Sequence, residues 1–326
     1  MRLLPITDLP DPRAVLLPFP VPELPDITVF AEALRRRVTG QILERVRIFS
    51  PALLRTFDPA IDDAEGKQVT GVSRLGKRIV LRLNNQTALV IHLMIAGRFR
   101  WSDQQATASK KGKINLAQFV FGNGTLTLTE ASQLKRASLH CVRAADLDLH
   151  DPKGLDVLSC TPPAFAQTLQ GSGRTLKRAL TDPRLIDGIG NAYSDEILHA
   201  ARLSPTQRAT NLGDDELLRL HAAAKSTLEH WTKTLLLEFG LNDPGSLGRF
   251  PGPGDITAFR PDFAVHGKFR KPCPVCGTPV QRIVYAENEC NYCPKCQTGG
   301  KVLADRSLSR LLKDDWPRTM EELEAL

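Results

Sequence analysis

Apolar residues from Ile27 onward recur with a helical period, placing Ile27, Phe30, Ala31, Leu34 and Val38 on one face. Pro25 stands where the first turn has no use for an N–H, and Asp26 suits that turn. Arg35, Arg36 and Arg37 lie towards the end, and Gly40 stops the helix. Short alternating or wholly apolar runs follow at residues 43–49, 77–83, 88–93, 98–101, 116–121, 125–129 and 138–142. Asn84-Asn85 and Gly122-Asn123-Gly124 punctuate them as turns. So many short strands predict a β-sandwich or barrel. The polar stretch 102–113, with Lys110, Lys111 and Lys113, reads as a solvated loop.

Beyond about residue 151 the period becomes helical, over 162–170, 175–180, 194–202 and 214–239. In the last of these, Leu217, His221, Ala224, Leu228, Trp231 and Leu235 form one stripe, most simply a core face. Residues 240–254 are rich in Gly and Pro and predict a loop of the length often tied to function. Leu308, Leu311 and Leu312 predict a short helix in a tail with an acidic end. The class is therefore α+β. A leader covers 1–21, a β-sandwich domain with a flanking helix 22–150, a helical domain 151–265, a cysteine module 266–300 and a tail 301–326.

A length of 326 residues suits about two domains with their own cores. The net charge of +7 favours a polyanionic partner, although a merely basic protein would show the same charge. Of seven cysteines, Cys141, Cys160 and Cys290 fall outside the one cluster. That odd remainder, with no secretory signal, points to a reducing, cytoplasmic compartment rather than a disulfide framework. The proline-rich leader is neither a signal peptide nor a membrane span, so no membrane partner is expected. It reads as a disordered leader or as a stretch never translated.

Cys273-x2-Cys276 and Cys293-x2-Cys296 can close a tetrahedron of thiolates around one structural Zn2+, with no position open for substrate. Redox use of the two pairs is the minor alternative. So small a module buries little apolar surface, so the metal would supply most of its folding energy. Cys290 is surplus to the four. Between Asp182 and Leu198, Gly188 and Gly190 permit close backbone approach, and Asn191 stands at the head of the next helix. A phosphate held by the free N–H groups there, and a tight turn with no ligand, are two readings that stay open.

Pro22-Glu23-Leu24-Pro25 followed by Asp26 resembles the amino terminus of the formamidopyrimidine-DNA glycosylase and endonuclease VIII family. Gly188-Ile-Gly-Asn191-Ala-Tyr-Ser-Asp-Glu196-Ile-Leu198 resembles that family's helix-two-turns-helix signature, and 273–297 resembles its zinc finger. The three motifs stand in family order and spacing, so the resemblance covers roughly 22–297. It implies a DNA cleft between a β-rich and a helical domain, acting on damaged double-stranded DNA as a monomer. The implied reaction is excision of damaged, oxidised bases followed by cleavage at the abasic site.

The resemblance also implies roles. Pro22 would be the nucleophile that attacks the anomeric carbon to give a Schiff base, and Glu23 the acid that assists sugar-ring opening. A free α-amino group has a reference pKa near 8, against about 10.4 for lysine, which suits attack at neutral pH. Lys77, Lys177 and Asn191 would contact phosphates, and Glu196 would brace the active-site backbone. Ile95 takes the position that fills the gap left by a flipped base. Arg136 belongs to the paired basic residues Lys135-Arg136, and Ala137 stands where a phenylalanine wedge is expected. Asn288 replaces an expected hairpin arginine, for which Arg282 or Lys295 would compensate.

An internal proline nitrogen is an amide with no usable lone pair. Catalysis by Pro22 therefore requires a free terminus, exposed by an internal start at Val21, read as methionine and removed, or by processing. The competing reading is a non-enzymatic binder of damaged or distorted DNA with a blocked Pro22. A weaker one is a zinc-ribbon interaction protein.

Overall fold

Helix α1 (Leu24–Val38) is shared by both halves of the molecule. It starts where the Glu23 N–H donates to Asp26 Oδ2 at 2.9 Å, a carboxylate in the first turn capping a free donor. Ile27, Phe30, Leu34 and Val38 enter the core of the β domain, while Val29 and Ala33 pack on Leu235, Phe239 and Leu241. Leu24 enters the core of the helical domain. The turn at 22–26 thus lies at the domain junction. The computed structural model describes residues 21–104, 114–256, 260–285, 288–304 and 317–324. The leader before Val21, most of the lysine-bearing loop and the tail leucines lie outside them.

Eight strands follow: β1 (Ile42–Ile48), β2 (Lys67–Leu75), β3 (Arg78–Leu83), β4 (Thr87–His92), β5 (Gly97–Ser102), β6 (Asn115–Phe121), β7 (Gly124–Glu130) and β8 (Ser138–Arg143). Their order is β5-β7-β6-β1-β2-β3-β4-β8. β1 and β2 share only the register pairs Ile42↔Gln68 and Leu43↔Lys67, so the sheet folds into two four-stranded halves there. One apolar cluster draws Phe99, Phe119 and Leu126 from one half and Ile79, Leu89 and Ile91 from the other. This is the expected sandwich.

β2 was not predicted. Its buried Val69 and Val72 are three apart, because the register with β3 slips between Val69 and Gly71 and breaks the period of two. Lys77, predicted to begin a strand, lies instead in the β2–β3 turn. Register then places three connections at one end of the sandwich. Leu75 pairs with Arg78, Arg78 with His92, His92 with Ser138, and Gly97 with Glu130. The β2–β3 turn, the β4–β5 turn carrying Ile95 and the β7–β8 connection carrying Leu134 to Ala137 therefore share that end.

The helical domain holds α2 (Pro162–Gly171), α3 (Leu176–Thr181), α4 (Asn191–Ala200) and α5 (Asp214–Glu238). The predicted stripe on α5 is buried. Strands β9 (Gln281–Tyr285) and β10 (Asn288–Tyr292) form a hairpin, and α6 (Pro294–Thr298) follows. Residues 240–254 form no regular element. Arg36 donates to the carbonyls of Leu241, Asp243 and Ser246, and Arg37 to those of Leu247 and Gly248. The α1 arginines thus anchor the loop as well as complementing the helix dipole.

Candidate active site at the domain junction

Helix α4 begins at Asn191, three residues before its predicted start, because its cap comes from a distant part of the chain. Gly190 is the N-cap and has no side chain to offer. The buried Glu23 carboxylate takes its place, accepting N–H groups from Gly190 at 2.5 Å, Ala192 at 2.8 Å and Tyr193 at 3.3 Å. At the helix start of this turn the acceptor is the Glu23 carboxyl. Gly188, at φ +76, turns its carbonyl to accept the Leu24 N–H at 2.9 Å. Burial pushes the Glu23 carboxyl above the usual carboxylate range, against the pull of Lys77 and the N–H groups of Ala192 and Gly190.

A Cβ on Gly190 would lie 2.5 Å from Glu23 Cδ. Glu23 cannot swing away without abandoning three donors. Gly190→Ala should therefore destabilise the protein by about 1–3 kcal/mol, read from chemical denaturation. Wild-type stability in that variant would show that the junction yields.

Pro22 is buried beside Glu23, and Val21 before it is exposed. Lys77 completes the group. Burial holds its ammonium below the usual lysine range, while the carboxylates of Glu23 and Asp187 oppose that shift. Arg74 pairs with Asp187 and donates to the Gly76 carbonyl, which ties the turn bearing Lys77 to the helix-two-turns-helix segment. His92, opposite Arg78, also belongs here. Burial, Arg78 and Lys77 press its pKa to about 4, so it is neutral at physiological pH. Sequence reasoning passed over Arg74, Asp187 and His92, because only the β3–β4 register brings the histidine beside the lysine.

Lys177 is more enclosed than a simple phosphate contact. Its Nζ donates to the Asn191 carbonyl at 2.6 Å and to buried Asp195 at 2.5 Å. Asp195 also accepts the Asn291 N–H at 3.0 Å and lies 2.7 Å from His266 Nδ1, joining α3, α4 and the hairpin. Glu196 braces the backbone of Ala264, Val265 and His266, the approach to the cysteine module, rather than the turn at Pro22. Arg282 stacks over Phe269 and faces Glu289 at 3.5 Å, so it is engaged within the module. Lys295 is exposed.

Ile95 is half-buried in its turn and Arg136 is exposed. Ala137 is only 1% exposed and packs into the core of the β domain. Leu134, in the same connection, is 65% exposed. The Glu130 carboxylate fixes this connection by accepting the N–H groups of Arg136 and Ala137.

The sulfurs of Cys273, Cys276, Cys293 and Cys296 lie within 4.8 Å of one another, close enough to hold a metal ion. Cys273 and Cys296 are 3.9 Å apart and Cys276 and Cys293 3.4 Å. A tetrahedral Zn–S bond of about 2.3 Å requires S···S near 3.8 Å, so the donor set fits. His199 of α4 places Nε2 3.3 Å from Cys273 Sγ.

Residues 21–152 match the family model of the formamidopyrimidine-DNA glycosylase N-terminal domain, and 154–234 that of its H2TH domain. The chain is 34% identical over 288 residues to formamidopyrimidine-DNA glycosylase of Thermus thermophilus, covering 86% of this chain and all of that protein. An uncharacterized formamidopyrimidine-DNA glycosylase-like protein of Mycobacterium tuberculosis is 40% identical over 163 residues, 49% of this chain and 94% of that one. Among solved structures, a complex of Lactococcus lactis Fpg with abasic-site DNA superposes with a TM-score of 0.72 at 22% identity, covering 85% of this chain and 99% of that one. At that identity the likeness carries the fold.

Proposed function

We infer the function from one premise: the chain belongs to the formamidopyrimidine-DNA glycosylase family. We propose that, once it begins at Pro22, it excises oxidised bases from duplex DNA and then cleaves the abasic strand. The reading rests on the meeting of Pro22, Glu23 and Lys77 at the domain junction. The Pro22 nitrogen attacks the anomeric carbon, the bond to the base breaks with its electron pair leaving on the base, and the proton lost from the nitrogen leaves with that base. Glu23, its carboxyl raised by burial, supplies the proton to the ring oxygen as the sugar opens to an iminium. Loss of a proton from the neighbouring sugar carbon then expels the 3′ phosphate. Lys77, Asn191 and Arg136 contact the phosphate backbone, and a structural Zn2+ held by the four cysteines keeps the hairpin folded.

Leu134 serves as the wedge that Ala137 cannot be, with Ile95 beside it at the same end of the sandwich. Protein beginning at Pro22 should release an oxidised base from duplex DNA and nick the strand, and failure of both would refute the reading. Leu134→Ala should slow excision from paired duplex about 10- to 100-fold, since unstacking a base costs a few kcal/mol. It should leave cleavage of a preformed abasic site nearly unchanged.

A second reading is favoured by Val21. While Val21 remains joined to Pro22, the nitrogen is an amide, and the same surface would bind damaged DNA without reacting.

A further inference from the structure

Asp26 and Arg260 form an ion pair at 2.7 Å with both side chains under a tenth exposed. The two Asp26 oxygens are divided between different tasks. Oδ1 meets Arg260 Nη2, and Oδ2 accepts the N–H of Glu23, the residue joined directly to Pro22. Arg260 also lies against the Trp231 ring, 5.6 Å from its centroid, which fixes the guanidinium from the α5 side. Burial pushes the Asp26 carboxyl above its usual range, Arg260 and the Glu23 N–H oppose that shift, and Arg98 opposes it more weakly. Arg98 donates to the carbonyls of Ile95, Gly97 and Ile256. Two segments that flank the junction, the Ile95 turn and the end of the loop after α5, thus converge on one carboxylate.

We propose that Arg260 is a positioning residue for Pro22: through Asp26 it fixes the Glu23 N–H and with it the direction of the proline ring nitrogen. A buried carboxylate without its cation takes up a proton or turns to find another partner, and either change loosens its hold on Glu23. Attack on a sugar carbon tolerates little misdirection, and a shift of about 1 Å costs on the order of 100-fold. The rate effect rests on the amine chemistry proposed above, whereas the lock itself can be read without it.

The test compares protein beginning at Pro22 with its Arg260→Gln and Arg260→Lys variants. Borohydride trapping on abasic duplex, the Kd for that duplex and amide hydrogen exchange of Glu23, Leu24 and Asp26 are measured together. Arg260→Gln should slow trapping at least about tenfold with Kd changed less than about twofold. Its Glu23, Leu24 and Asp26 amides should exchange faster, while those of β3 and β4 stay as in the wild type. Arg260→Lys, which keeps the charge, should recover much of the trapping rate and protection. Should Arg260→Gln fail to fold, Arg260→Lys alone decides: its Nζ cannot both meet Asp26 Oδ1 and keep the guanidinium's place against the Trp231 ring, so the Glu23, Leu24 and Asp26 amides must exchange measurably faster than wild type. Wild-type exchange and trapping in the variants would overturn the proposal, as would a loss of trapping that only follows a loss of binding. If the wild type forms no adduct but exchange responds as stated, the amine chemistry has failed and the lock stands.

Discussion

Protein beginning at Pro22 should form a borohydride-stable adduct with abasic-site duplex, and the 326-residue chain with Val21 still attached should form essentially none. The expected ratio of trapping rates is at least about 1000-fold, because acylation removes the nucleophilic lone pair altogether. A free secondary amine at the terminus, with a reference pKa near 8, is partly unprotonated at neutral pH. The family match starts at residue 21, one residue before Pro22. Lys77 lies within electrostatic reach of Glu23, the residue joined to Pro22.

An equal adduct from the intact chain, with the Val21–Pro22 bond confirmed by mass, would overturn this assignment. The next amine to examine would then be Lys77, whose ammonium burial holds below the usual lysine range. Lys77→Ala would abolish such an adduct, whereas with Pro22 as nucleophile it should weaken the reaction and leave some trapping.

The strands with clean alternation and the long amphipathic helices were legible in the sequence, because their periods report directly on burial. β2 was hidden by its register slip, and the early start of α4 by a cap that arrives from residue 23. The same reason separates the legible and illegible parts of the site. Pro22, Glu23, Lys77 and the four cysteines sit in short local motifs. Arg74 with Asp187, His92 beside Lys77, and Asp26 with Arg260 are long-range pairs with no spacing to betray them. Ala137 shows another limit: position along the chain points to a lost wedge, and only burial shows that the alanine is enclosed while Leu134, three residues earlier, is exposed.

Removing the metal from the cysteine module should cost DNA binding without unfolding the rest. The module's own core is small, drawn from Val265, Cys273, Val280 and Cys293. Structural zinc is worth roughly 10–16 kcal/mol in comparable small modules, far more than this core can replace. The β and helical domains have large separate cores that contain none of these cysteines. A strong chelator, or Cys276→Ser, should therefore melt the hairpin and weaken binding to damaged duplex by about 100-fold or more, with the helical signal of α1 and α5 retained. Asn291 and His266 would then release Asp195, and Lys177 would lose the order of its partner. The damage should thus spread to the start of α4 but stop short of the sandwich. Zinc added back to chelated protein should restore both the hairpin and the affinity. Unchanged binding after full removal of metal, measured at fixed salt, would show that the hairpin takes no part in holding DNA.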